Sequence, residues 1–167
     1  TNMDPAQVVN KGVCYVPQTN NVFPTLTVQE NLEMGAYIRK DDFRPRLLEI
    51  YEMFPPLAEK KKQVAGELSG GQRQMVAMGK ALMLEPTILM LDEPTAGLSP
   101  IYRNEIFQII RQINASGVPI LMVEQNAKQS LAIANRGYVL VDGRNRTTGK
   151  GIDLLNDPEI ARMFLGG

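Results

Sequence analysis

An aspartate and a glutamate close an apolar run, Ile88-Leu89-Met90-Leu91-Asp92-Glu93. A run of this length suits a parallel strand buried on both faces. It would place Asp92 at the carboxyl edge of a sheet, where ligands bind in open α/β folds. There Asp92 can hold magnesium, directly or through water, and Glu93 can orient and polarise an attacking water. Upstream, Leu68-Ser69-Gly70-Gly71-Gln72 opens a helix. Its first backbone N–H groups have no intrahelical partner, and no bulky side chain obstructs a phosphate there. Each signal alone has an ordinary explanation: a Ser-Gly-Gly turn and cap, and a solvated acidic pair before a proline. Their order along the chain, with Gln18 further upstream, favours phosphate chemistry. Gln125 follows a second apolar segment, residues 118–123, and is expected at the same sheet edge, near Asp92 and Glu93. Its competing role is to cap a helix beginning near Asn126.

These residues need elements to hold them. Gly12-Val13-Cys14-Tyr15-Val16 reads as a short strand stopped by Pro17, followed by a polar turn over residues 18–21. Thr27 with Glu30 three residues on predicts a capping box and a helix through Met34 and Tyr37. A second helix is expected over residues 45–54, ended by Pro55-Pro56, and a third from Gly70 to Leu84. Ser99 and Pro100 open another helix, whose Ile106, Ile109, Ile110 and Ile113 follow helical spacing until Gly117. Residues 137–141 and 146–149 flank Asp142-Gly143, which predicts a hairpin or tight connection, and Asp157-Pro158 predicts a final helix ending at Gly166-Gly167. The order is one strand, a helical block, then alternating strands and helices. It describes an α/β core carrying a helical insertion at residues 21–84.

The bulk properties narrow the choices. A chain of 167 residues with 44% apolar and 22% charged positions can build one real core. Lys plus Arg and Asp plus Glu both number 18, so nothing recommends nucleic acid or an anionic membrane surface as a partner. The Lys60-Lys61-Lys62 run reads as a solvated face. The single cysteine, Cys14, forms no internal disulfide and sits in an apolar stretch as a small core residue. With no histidine in the chain, imidazole acid–base chemistry is excluded. No apolar run approaches the roughly 18 residues of a membrane helix, so contact with a membrane would run through a partner protein. The first residue is Thr1 rather than Met, which hints at a fragment.

The sequence resembles an ABC transporter ATP-binding subunit along essentially its whole length. Tyr15-Val16-Pro17-Gln18 resembles the Q-loop of that family, Leu68 to Gln72 its signature motif, and Leu89 to Glu93 its Walker B strand. Ala96-Gly97-Leu98-Ser99 stands where the D-loop belongs, and Val123-Glu124-Gln125 where the switch belongs. Finer features are similar to the branched-chain amino acid importer ATPases: Val22-Phe23-Pro24, the Ala96 to Pro100 run, Glu124-Gln125-Asn126, Arg136-Gly137-Tyr138-Val139-Leu140 and Phe164-Leu165-Gly166-Gly167.

The resemblance implies a P-loop NTPase (ABC ATPase) α/β core with a helical insertion, missing the N-terminal strands and phosphate loop. Residues 1–20 would be core strand and Q-loop, 21–84 the helical subdomain with the signature, and 85–167 the core with Walker B, D-loop and switch. ATP and Mg2+ are the implied cofactors. Glu93 and Gln125 would be catalytic, and Asp92 and Gln18 would serve the metal. Ser69, Gly70, Gly71 and Gln72 would grip nucleotide bound to the opposite subunit. The implied partners are a second ABC ATPase subunit in a homo- or heterodimer, transmembrane permease subunits, and indirectly a periplasmic or extracellular binding protein. Nucleic acid is not among them. The subunit would sit at the cytoplasmic face of the membrane and energise uptake of branched-chain amino acids.

Three departures qualify the likeness. No segment matches GxxxxGK[ST], the loop that cradles phosphates. In the family it lies upstream of the Q-loop, so truncation is the expected reason and the fragment alone is expected to be inactive. Gln125 replaces the switch histidine; its amide can orient water or phosphate but carries no proton. Ser99 occupies the usual D-loop aspartate position, so the contacts of that aspartate are not carried over. The alternatives are the same role for urea or short amides, a non-transport ABC ATPase, or a regulatory fragment that keeps only the signature surface. ATPase sequence reports substrate weakly, because substrate touches other subunits.

Overall fold

Strands β1 (Val13–Val16), β2 (Ile88–Asp92) and β3 (Ile120–Val123) form a parallel sheet in that order in the computed structural model, which describes residues 2–162. The register pairs Cys14 with Leu89 and Leu91 with Met122. The contacts gather into two units, Thr1–Val123 and Glu124–Gly167, and the sheet belongs to the first.

One face of this sheet is closed. Cys14, Val16, Leu89 and Leu91 are buried there, and helix α5 (Gly70–Leu82) packs against β1. The other face is not buried as the apolar runs predict. Tyr15, Leu121 and Val123 are 54%, 49% and 60% exposed, and Met90 is half-buried. A parallel strand is covered on both sides only where elements lie over both faces.

Four α-helices precede α5. α1 (Pro5–Asn10) was not anticipated, although Asp4 and Gln7 form a complete capping box with Pro5 in the first turn. α2 (Val28–Gly35) begins with the expected box, the Thr27 hydroxyl accepting from Glu30 N and the Glu30 carboxylate from Thr27 N. α3 (Arg44–Met53) ends before Pro55, but the diproline starts another helix, α4 (Pro55–Glu59). Proline is favoured at a first helical position for the same reason that it stops a preceding helix.

α5 buries Met75, Val76, Ala77, Met78 and Leu82, and all of these but Ala77 are side chains worth roughly 1.5–3 kcal/mol each when taken from water. It crosses α2 so closely that a Cβ on Gly35 would clash with the Lys80 carbonyl oxygen. Two arginines cover the chain where α5 ends. Arg39 Nη1 donates to Met83 O at 2.7 Å and Arg46 Nε to Leu82 O at 3.0 Å, placing cations at the negative end of the helix. Asp41 and then Glu85 hold the Arg39 guanidinium firmly in its charged form. α6 (Pro100–Ala115) opens at Ser99 as expected, though the hydroxyl makes no capping bond, and buries Ile106, Ile109, Ile110 and Ile113.

The second unit contains α7 (Ala127–Ile133), the antiparallel pair β4 (Gly137–Val141) and β5 (Arg144–Gly149), α8 (Gly151–Leu155) and α9 (Pro158–Ile160). Asp142 and Gly143, at φ 51° and 73°, make the tight turn their identities predict. Leu131, Leu154 and Ile160 form its core. Asp157 caps α9. The Phe164-Leu165-Gly166-Gly167 end lies outside the described residues, and so does the expected helix end at Gly166-Gly167.

Candidate functional site

Asp92 is the last residue of β2, so its carboxylate stands at the carboxyl edge of the sheet, as the apolar run implies. The chain then turns sharply. Glu93 adopts φ 44°, in the left-handed region that L-residues with a long side chain rarely occupy. Its N–H still donates to Val123 O at 2.8 Å, and its carbonyl accepts from Ala96 N at 3.0 Å. The backbone is thus held on both sides of a strained residue, the setting in which strain persists.

Two residues of the β1 end meet this pair. Gln18 Nε2 donates to Glu93 Oε2 at 3.1 Å. The Tyr15 hydroxyl donates to Asp92 Oδ2 at 2.8 Å. That bond, with burial and the Asp92 charge, raises the Tyr15 phenol above its ordinary pKa. Gln18, Asp92 and Glu93 are legible in the sequence as site residues, whereas the part played by Tyr15 is not. A phenol at alternate spacing on a strand carries no sign of what it reaches across 77 positions.

Ser69 and Gln72 form a reciprocal box at the start of α5. Ser69 Oγ accepts from Gln72 N at 3.3 Å, and Gln72 Oε1 accepts from Ser69 N at 3.2 Å. The N–H groups of Gly70 and Gly71 remain as first-turn donors. Gly71 also has a packing reason, since a Cβ there would come within 2.5 Å of Tyr102 Cδ1 on α6. Beyond Glu93, Thr95 is buried, Gly97 adopts φ 69°, and Ala96, Gly97 and Ser99 are exposed. Leu98 Cδ2 would lie 3.2 Å from a Cβ on Gly70, so the 96–99 turn lies beside the start of α5.

Gln125 lies in the second unit, two residues past the end of β3. The N-cap of α7 is Asn126, whose side chain accepts from Gln129 N. The capping alternative for Gln125 therefore falls to its neighbour.

The oxygen donors suit a hard divalent cation. Magnesium takes one or two carboxylates and completes its octahedron with phosphate oxygens and water. Asp92 supplies a carboxylate at a sheet edge, and Gln18 bonds Glu93 through its nitrogen, the end of the amide that a cation does not use. Among the described residues no group of three His, Cys, Asp or Glu side chains forms a closed all-protein metal site. Nor is any helix among them long and apolar enough to cross a membrane.

Residues 1–96 match the family model described as ABC transporter. The chain is 45% identical over 161 residues to the high-affinity branched-chain amino acid transport ATP-binding protein BraG of Pseudomonas aeruginosa, covering 96% of this chain and 69% of the relative. It is 40% identical over 168 residues to the probable branched-chain amino acid transport ATP-binding protein LivF of Archaeoglobus fulgidus, covering 99% and 71%. Among solved structures, a nucleotide-free ATP-binding cassette from an ABC transporter superposes with a TM-score of 0.81 at 28% identity, covering 100% of this chain and 74% of that one.

Proposed function

Because the chain belongs to the ABC transporter family of ATP-binding subunits, we propose that it works in an importer of branched-chain amino acids, at the cytoplasmic face of the membrane. The transport named for BraG and LivF supports that substrate class. The observation that carries the hydrolytic role is the Gln18–Glu93 contact at 3.1 Å beside Asp92, which gathers an amide and two carboxylates at one sheet edge.

In this reading Glu93 accepts a proton from water as it attacks the γ-phosphate and aligns that water for displacement. Asp92 and Gln18 would hold Mg2+, which would supply positive charge to offset that of the phosphates. Gln125 orients water or the γ-phosphate without exchanging a proton. Ser69, Gly70, Gly71 and Gln72 present the start of α5 to ATP held by a second ATPase subunit, and Ala96, Gly97, Leu98 and Ser99 line the same seam. The 167 residues contain no GxxxxGK[ST] segment, so the loop that cradles the phosphates in cis is not among them.

The permease subunits are the second partner class. Phe23, Met34, Tyr37 and Ile38 are all more than 40% exposed within the 21–84 block, and Tyr37 reaches 81%. Exposed apolar side chains so close in sequence suit a docking face. The test is ATP hydrolysis by the transporter reconstituted in liposomes with its binding protein. Leucine, isoleucine and valine should stimulate turnover. Stimulation by urea or short amides instead would replace the substrate class and leave the ATPase role standing.

A further inference from the structure

One asparagine joins the Gln18 loop to α5. Asn21 Nδ2 donates to Gln74 Oε1 at 2.8 Å and to Pro17 O at 3.2 Å. The Asn21 carbonyl accepts from Lys80 Nζ at 2.6 Å. The loop is therefore held at two points on the helix that Ser69 opens, one near its start and one in its last turn.

Gln74 is an unusual choice for that position. It is only 7% exposed and shares its helix with buried Met75, Val76, Ala77 and Met78. Its Nε2 is buried with no hydrogen-bond partner among the described residues. An apolar side chain of similar volume would avoid leaving that amide nitrogen unsatisfied. The oxygen end of the amide, engaged by Asn21, is what the position gains. Lys80 also makes a specific contact, with its ammonium 4.8 Å from the centroid of the Phe23 ring. Burial lowers its pKa, so the cation is retained against a desolvation cost.

We propose that Gln74 and Lys80 are positioning residues that fix the 17–21 loop on α5, and so hold the Gln18 amide against Glu93. A shift of α5, whose first turn is Ser69-Gly70-Gly71, then carries the loop with it and changes the Gln18–Glu93 contact. Engagement at the start of α5 and readiness at Glu93 become mechanically linked through Asn21. The consequence for hydrolysis rests on the role proposed above for Glu93; the tie itself does not.

The side-chain amide resonance of Gln18 in the 15N-labelled chain reports the tie without nucleotide, and Gln18→Ala assigns it. Glu93→Ala gives the position of an amide that has lost its acceptor. Gln74→Met, close in volume but lacking the amide oxygen, should move the resonance toward that position. Lys80→Met should move it in the same direction, and Lys80→Arg, which keeps the cation and a donor, should leave it near its original place. Should Gln74→Met fail to fold, the half-buried Lys80 pair gives the same reading. A Gln18 resonance unmoved in the folded variants overturns the proposal. In the assembled ATPase, Gln74→Met should lower kcat about tenfold or more with the KM for ATP unchanged. A lowered Tm with normal turnover per folded molecule and an unmoved Gln18 amide would make Gln74 a packing residue only. A moved amide with normal turnover would uphold the tie and overturn the role of the Gln18–Glu93 contact in hydrolysis instead.

Discussion

The Tyr15 hydroxyl and Asp92 Oδ2 stand 2.8 Å apart, joining the end of β1 to the end of β2 on the more open face of the sheet. The bond exists only with the phenol protonated, and the Asp92 charge opposes its ionisation. Tyr15 should therefore titrate above the ordinary phenol value of about 10. Its contribution to stability is complete below that ordinary value and is lost as pH rises through the raised one. The 13Cζ shift of Tyr15 followed against pH checks this. Asp92→Asn should bring the midpoint back down, and a midpoint that stays put would remove Asp92 as the cause.

In the assembled ATPase, Glu93→Gln should stop hydrolysis and preserve ATP binding, trapping a closed dimer. The amide keeps the shape of the side chain and loses the group that polarises water. Single-turnover hydrolysis and nucleotide affinity, measured on one preparation, separate these effects. Near-normal turnover would show that another group activates the water.

Ser69 has two roles that substitutions can separate. Ser69→Ala removes the box with Gln72 and should cost about 1 kcal/mol of stability. Ser69→Arg blocks approach of the partner's nucleotide and should abolish ATP-driven dimerisation, read by light scattering. Unchanged dimerisation in Ser69→Arg would reduce the segment to a helix cap.

Gln125→Ala should lower turnover with ATP affinity nearly unchanged, the pattern of an interaction made in the transition state. Asn126, not Gln125, is the side-chain cap of α7, so the substitution leaves that cap in place. The shape of the pH–rate profile should not change, because an amide does not titrate. A fall in Tm at constant turnover would return Gln125 to a structural role.

The 167-residue chain by itself should bind ATP weakly and show no measurable hydrolysis, because it contains no GxxxxGK[ST] segment. Supplying a phosphate loop upstream should bring magnesium-dependent turnover. Robust hydrolysis by the chain alone would mean that other residues hold the phosphates.

Local signals in the sequence were faithful guides. Thr27 with Glu30, Ser69 before two glycines, and Asp142-Gly143 each specify backbone geometry within four residues, and each appears as expected. Asp4-Pro5 with Gln7 carried the same kind of signal, yet it had no apolar run behind it to mark a helix, and α1 buries nothing. Pro55-Pro56 was legible as a stop but not as a start, since proline serves both. The burial of β2 and β3 could not be read from their composition, because exposure depends on what covers the sheet. Tyr15–Asp92 and Asn21–Gln74 span 77 and 53 positions, and periodicity has no term for such pairs.

The left-handed conformation of Glu93 sets stability and turnover against each other at a single codon. Glycine adopts φ 44° without the Cβ clash, so Glu93→Gly should relieve roughly 1 kcal/mol of backbone strain while removing the carboxylate and the exposed hydrogen bond that Gln18 donates to it. A thermostability screen blind to activity would enrich that variant, whereas growth on transported substrate would purge it. The same site would thus be scored as improved by one assay and as lethal by the other. With Glu93 in the role proposed above, a library sorted only for heat resistance would drift toward well-folded subunits that hold ATP without hydrolysing it.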